Sequence, residues 1–353
     1  MSSRLAPLRR SINKVQCYTK SVATTGRQFD KTFSFTLMIM KHHELLILGA
    51  GWTSTFLIPL ARSRKIGFAA TTRDGRDVAG SSTLKWSFDP EEKSDVWPQS
   101  SQFAKLPLAS TILVTFPLTG KGQSKLLKQG YDAVHASKLG EGGVHVIQLG
   151  STGIWQIEQD SIWSTRHSPY NTSSPRAVAE DELLSLGGCV LNLAGLWGGE
   201  RQPKNWVGRV AKSKEDVKGK KSLHMVHGQD VARSVLAVIE KWEKAGGQRW
   251  MVTDGFVYVS SDRIAWLVIE LREYTLTLPQ DWWALMAGWT DVNAGEQTDN
   301  VDREPADTAT WVSELMREED VRALPRSMDT LGRCYDTREF WETFELVPLK
   351  ARI

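Results

Sequence analysis

Gly49 and Gly51, separated by Ala50 and followed by Trp52, Thr53 and Ser54, form the stretch of this sequence best suited to chemistry. They come directly after the apolar run Leu45–Leu48, and Thr53–Ser54 stand where a helix should begin. The segment therefore reads as buried strand, tight turn and helix. In that setting the glycines let backbone approach a phosphate, while the helix start offers unpaired N–H groups and the positive end of its dipole. The chemistry is capture of a dinucleotide pyrophosphate by Gly49, Gly51, Trp52 and Thr53. Ser54 replaces the usual third glycine and is small enough for close helix–strand packing. Some twenty residues on, Thr71-Thr72 leads into Arg73-Asp74-Gly75-Arg76, where such a unit meets the adenosine ribose. An acidic residue there accepts from the ribose hydroxyls and favours NAD, whereas an arginine pairs with a 2′-phosphate and favours NADP. Arg73 comes first, so NADP is favoured, with Asp74 keeping NAD open. Asp89 is a candidate acceptor for the adenine amino group, or else a turn former. Phe116 and Pro117 end the apolar segment 110–117 and should lie beside the cofactor, because ligands bind outside the carboxyl ends of such strands.

These residues require a scaffold, and the pattern around them supplies one. Helix 53–64 is followed by strands at 66–72, 84–88 and 110–117, helix 121–138 and strand 144–149. Ser174-Pro175 marks a helix start that Gly187-Gly188 ends. Strand 190–193 comes next, 224–227 returns to the sheet, and helix 229–242 leads to a last strand at 249–253. Alternating strands and helices predict the α/β class, a Rossmann-type doubly wound parallel sheet with a small C-terminal substrate cap. The expected domains are an extension at 1–43, an NAD(P)-binding domain at 44–255 with a substrate loop at 197–221, and cap segments at 256–353. Within the cap, a helix should begin at Ser261-Asp262, and 293–308 should be a mobile polar insert.

The charge is unevenly spread. Residues 1–43 carry eight basic side chains against Asp30 alone, so the remainder of a chain of formal charge +3 is mildly acidic. An acidic body is not built for nucleic acid, and no apolar run approaches the roughly 20 residues that span a bilayer. The basic, acid-poor extension has the composition of a mitochondrial presequence, shared by an unstructured tail or an upstream extension of a protein starting at Met38 or Met40. The expected location is the cytoplasm or the mitochondrial matrix. Three scattered cysteines, Cys17, Cys189 and Cys334, suit a reducing compartment and make neither a disulfide framework nor a metal cluster. From Pro203 to Lys221 the chain is strongly basic, which is a solvated surface or a funnel for an anionic substrate. Arg201, just before it, is placed to hold an anionic group of a small-molecule substrate.

Taken together, these segments resemble the extended and atypical branch of the short-chain dehydrogenase/reductase superfamily, the NAD-dependent epimerase/dehydratase-like proteins. The resemblance covers about residues 44–345. Besides the glycine turn it rests on Gly150-Ser151-Thr152-Gly153-Ile154-Trp155, Asn192 to Gly198, Val226-His227-Gly228-Gln229-Asp230-Val231-Ala232 and Val252 to Gly255. It implies a catalytic serine at Ser151, and a substrate loop beginning at Trp197. It also implies a tyrosine acid/base with a lysine one helical turn later, which lowers the tyrosine's pKa and holds the nicotinamide ribose. Here the lysine position falls on Arg176 and the tyrosine position on Thr172. Tyr170, the tyrosine nearby, precedes the Ser174-Pro175 cap. Three readings follow. Tyr170 serves from its loop beside Ser151, in an oxidoreductase or epimerase; or His167 supplies the proton; or the chain binds NAD(P) without turnover, as a sensor or scaffold.

Overall fold

A computed structural model describes residues 42–93, 100–140, 142–157, 161–202, 205, 207–255, 281–283, 286, 307–324, 326–332 and 334–350. All but the last two residues of the expected extension, the helix expected from Ser261 and most of the insert at 293–308 lie outside the described residues.

Seven strands form one sheet: β1 (His43–Leu48), β2 (Phe68–Thr72), β3 (Leu84–Lys85), β4 (Ala109–Val114), β5 (His145–Ser151), β7 (Cys189–Leu193) and β10 (Arg249–Val252). Their order is β10-β7-β5-β4-β1-β2-β3, and every pairing is parallel. Because successive side chains point to opposite faces, the apolar run of β1 serves two cores. Leu45 and Ile47 join one with Leu57 and Ile58 of α1 (Trp52–Ser63) and Val231 and Val235 of α6 (Gly228–Glu240). Leu46 and Leu48 join the other with Leu127 and Tyr131 of α2 (Gln123–His135) and Leu183 of α3 (Pro175–Ser185). Helices thus cover both faces, as an all-parallel sheet requires.

Within the described residues the expected elements hold with shifts of a few residues at their ends, except for one. The segment 224–227 does not return to the sheet: β9 (Met225–His227) pairs with β8 (Gly195–Trp197) in a separate two-stranded ribbon. The reason is edge occupancy, because β10 already takes the free edge of β7 with Arg249 opposite Val190. Short helices α4 (Val207–Val210), α5 (Lys214–Lys218) and α7 (Trp242–Ala245) complete this half, and β6 (Trp163–Ser164) pairs with β11 (Cys334–Tyr335).

Beyond the sheet, α8 (Asp307–Glu318) packs Val312 and Leu315 on Val217, Trp283 and Met286. Asp281 and Arg326 form a buried ion pair at 2.7 Å there, and the Arg326 guanidinium lies 3.9 Å from the centre of the Trp283 ring and donates to Lys220 O. After the short α9 (Met328–Leu331), α10 (Arg338–Thr343) goes back to the main core, where Phe340 and Phe344 pack on Trp250. The following strand of chain is tied to α6: fully buried Asp230 accepts from the amides of Leu349 and Lys350 and from Arg233, which also donates to Val347 O.

Candidate functional site: the glycine turn and the carboxyl edge

Sheet order reverses between β1 and β4, whose neighbours lead outward in opposite directions. A crevice opens at such a point beyond the strands' carboxyl ends. The turn Gly49–Gly51 leaves β1 here, and Thr115 and Phe116 leave β4 beside it. Gly49 has φ +83°, and an added Cβ would lie 2.9 Å from Phe116 Cδ1 and 3.0 Å from Thr115 Oγ1, so both backbone and space demand glycine. Its amide donates to Thr71 Oγ1, and Ala50 N to Thr71 O. Past that point the donors stop. Among the described residues the amides of Gly51, Trp52 and Thr53 have no acceptor, and a Cβ on Gly51 would meet nothing closer than Gly49 O at 3.8 Å. Three amides at the start of a twelve-residue helix, over a position with no side chain, suit a diphosphate. Ser54 is fully buried, as its packing role requires, and its hydroxyl has no partner among the described residues.

At the end of β2, Asp74 is paired with Arg76 at 3.1 Å, and the Arg76 amide and guanidinium hold its carboxyl down at about 2. Arg73 beside it is exposed and has no ion pair among the described residues. Asp89 accepts from Glu91 N within its own turn and exchanges backbone bonds with the Gln102 amide. Phe116 stacks on Phe88 at 5.9 Å and flanks Gly49, while Pro117 is exposed.

The segment after β8, expected to be a substrate loop, meets the same turn. Trp52 Nε1 donates to Gly198 O at 3.0 Å, and the Arg201 guanidinium lies over the Trp52 ring at 4.7 Å. Trp197 packs edge-on to His227, which packs in turn on Phe56 of α1. The structure thus brings Gly49, Gly51, Trp52, Phe116 and Arg201 to one place.

It does not bring Ser151, Tyr170 and Arg176 into mutual contact. Ser151 caps a short 3-10 turn, its hydroxyl accepting from Gly153 N. Arg176 is exposed in the first turn of α3. Tyr170 donates its hydroxyl to Asp181 Oδ1 at 2.7 Å beneath the Arg249 guanidinium, and burial, then the bond to Asp181, holds the phenol above its ordinary value. His167 bonds Glu339 Oε2 of α10. Four residues whose role was missed in the sequence link Tyr170 to the serine turn. Asp181 and Glu180 both accept from Arg249 Nη2, Glu180 accepts from Asn192 Nδ2 at 3.0 Å, and that amide also donates to Ser151 O. Glu180, Asn192 and Arg249 are all buried, and burial raises the Glu180 pKa. Their signal was available: Asn192 interrupts an apolar strand, and Arg249 opens one.

No family model and no curated protein matches the sequence. Solved structures do. A conserved protein of unknown function from Silicibacter pomeroyi is 18% identical, with 88% of this chain and 95% of that one covered and a TM-score of 0.49. A short-chain dehydrogenase/reductase superfamily protein from Agrobacterium tumefaciens, solved with bound NAD, is 10% identical over 87% and 93%, TM-score 0.49. Vestitone reductase from alfalfa is 16% identical over 79% and 99%, TM-score 0.44. The fold is a Rossmann-type doubly wound sheet. The strand order and the parallel pairings make it so. Among the described residues no helix is long and apolar enough to cross a membrane, and no cluster of His, Cys, Asp and Glu could hold a metal.

Proposed function

We propose that this chain binds NADP or NAD across its glycine turn and acts on a small anionic molecule, as an oxidoreductase or epimerase/dehydratase-like protein. One observation carries the reading: three amides without acceptors surround the bare Cα of Gly51 at the point where the sheet reverses. There the amides of Gly51, Trp52 and Thr53 would hold the diphosphate, Phe116 would flank the adenosine half, and Arg73 would take a 2′-phosphate. Asp74, already neutralised by Arg76, is a poorer acceptor for ribose, which supports NADP over NAD. When bound, the nicotinamide supplies a hydride donor or acceptor. Ser151, at the end of β5, would orient a substrate oxygen from the strand edge, and Arg201 would hold an anionic group.

A second reading is favoured by Tyr170. A phenol engaged by Asp181 and raised in pKa is poorly disposed to exchange protons near neutrality, which supports an NAD(P)-binding sensor or scaffold. Melting curves with NAD, NADH, NADP and NADPH test the common part of both. Ligand at 100 times its dissociation constant stabilises the fold by about 2.7 kcal/mol. Arg73→Ala should weaken NADPH about tenfold and leave NADH unchanged, since it removes one charge-assisted contact to phosphate. No shift with any of the four nucleotides would end both readings.

A further inference from the structure

A cleft opens next to the glycine turn. It has a volume of about 510 Å³ and lies between the β8–β9 ribbon and α4. Pockets of this size take small organic molecules. Its floor is apolar: Leu223 and Met225 are buried, and Leu196 and Trp282 form half-buried walls. Its rim is cationic. Arg201 and Arg209 are exposed there, neither has an ion pair among the described residues, and Glu200 is the one acid lining the cleft.

That separation of chemistry selects a ligand type. An apolar floor gives nothing to the hydroxyls of a bare sugar, which would lose their water without replacement. Two guanidinium groups at a rim, by contrast, can grip a carboxylate or phosphate with paired N–H donors. Arg201 also borders the Trp52 indole at the mouth of the glycine turn, so an anion on the rim would stand next to the place proposed for the nucleotide.

We propose that the cleft takes an amphiphilic organic anion, whose ring or alkyl body seats on Leu196, Leu223, Met225 and Trp282 and whose carboxylate or phosphate is held by Arg201 and Arg209. That this ligand is the substrate rests on the nucleotide-binding reading above; that the cleft binds it does not.

The test is calorimetric titration of the full chain with 2-naphthoate, its neutral analogue 2-naphthamide, and inorganic phosphate. The native protein should bind 2-naphthoate about tenfold or more tighter than the amide, as expected for a hydrogen-bonded charge. Inorganic phosphate, lacking the body, should bind far more weakly than 2-naphthoate. Arg209→Ala, and more fully the pair Arg201→Ala and Arg209→Ala, should abolish the preference while leaving the amide within about twofold of its native affinity. Both side chains are exposed, so the variants should fold, which their unliganded melting curves verify. Equal affinity for acid and amide, a preference surviving in the double variant, or no binding of either naphthalene would overturn the proposal. NADPH melting shifts run in parallel separate the two ideas. A shift without a naphthoate preference overturns the ligand class alone; a preference without a shift supports the anion cleft and overturns the nucleotide reading.

Discussion

Two glycines two residues apart should respond in opposite ways to the same substitution. Gly49→Ala places a methyl group in a left-handed backbone position and against Phe116 and Thr115. The backbone term is roughly 1–2 kcal/mol and overpacking adds about 1–3, so a loss of about 3 kcal/mol is expected. Gly51→Ala meets no side chain. Its φ of −125° suits alanine, though its ψ of −142° lies somewhat outside the extended basin. Losing glycine at a helix N-cap is unfavourable, and the stiffer unfolded chain is favourable, so the net change should be within about 1 kcal/mol. Yet the new methyl stands where a diphosphate would lie. If affinity falls 100-fold, NADPH at 100 times the native dissociation constant stabilises by about 0.4 kcal/mol instead of about 2.7. Melting of both variants with and without NADPH reads all four numbers, at roughly 2 °C per kcal/mol for a chain of this size. The reasoning fails if Gly51→Ala keeps the full nucleotide shift, or if Gly49→Ala is the milder change for the unliganded fold.

Other consequences are as open to measurement. Tyr170→Phe removes one bond of a network in which Asp181 keeps Arg249, so about 1 kcal/mol should be lost in urea unfolding; an enzyme using this phenol would lose turnover and keep its nucleotide shift, and a sensor would lose neither. Arg326→Ala strands the buried Asp281 carboxylate and should cost about 3–5 kcal/mol, whereas replacing both residues by apolar ones should recover much of it; limited proteolysis of the segment around residue 326 follows this. Glu339 is held below its ordinary value of 4.5, first by its bond to Arg166. Its folded pKa being the lower one, its contribution is present above pH 4.5 and lost as pH falls through the folded value. Glu339→Gln should therefore lower stability at neutral pH and flatten the acid limb of the pH–stability curve; an unchanged limb would refute the assignment.

The sheet could be read from the sequence because its central strands are buried on two faces and so are written as apolar runs, Leu45–Leu48 and Ser110–Phe116 being the plainest. Gly49 was legible for the same kind of reason, since its left-handed backbone excludes other residues locally, and Gly51 through its spacing from it at a helix start. What could not be read was long-range pairing. Nothing near His224 says that β10 will occupy the edge of β7 and leave β9 to Gly195–Trp197. Nor does Tyr170 carry any local mark of Asp181 and Arg249, the second of which lies 79 positions away in sequence and meets it only when α3 and β10 come together. Asn192 breaks an apolar strand and so carried a signal, whereas Glu180 is one of three consecutive acids in α3 and carried none. The pairing of Arg201 with Trp52 likewise depends on a loop crossing to a helix 149 positions earlier.

The carboxylate of Asp230 has a consequence for the order in which this molecule can be completed. Its acceptors are matched by amides that lie about 120 residues further along the chain. During synthesis, helix α6 is finished long before Leu349 and Lys350 leave the ribosome, so until then Arg233 is the partner this acid has and its remaining acceptor sites stay hydrated. A segment made about 120 residues after Asp230 is thus what completes the core that α6 shares with α1, the helix that begins at the glycine bend.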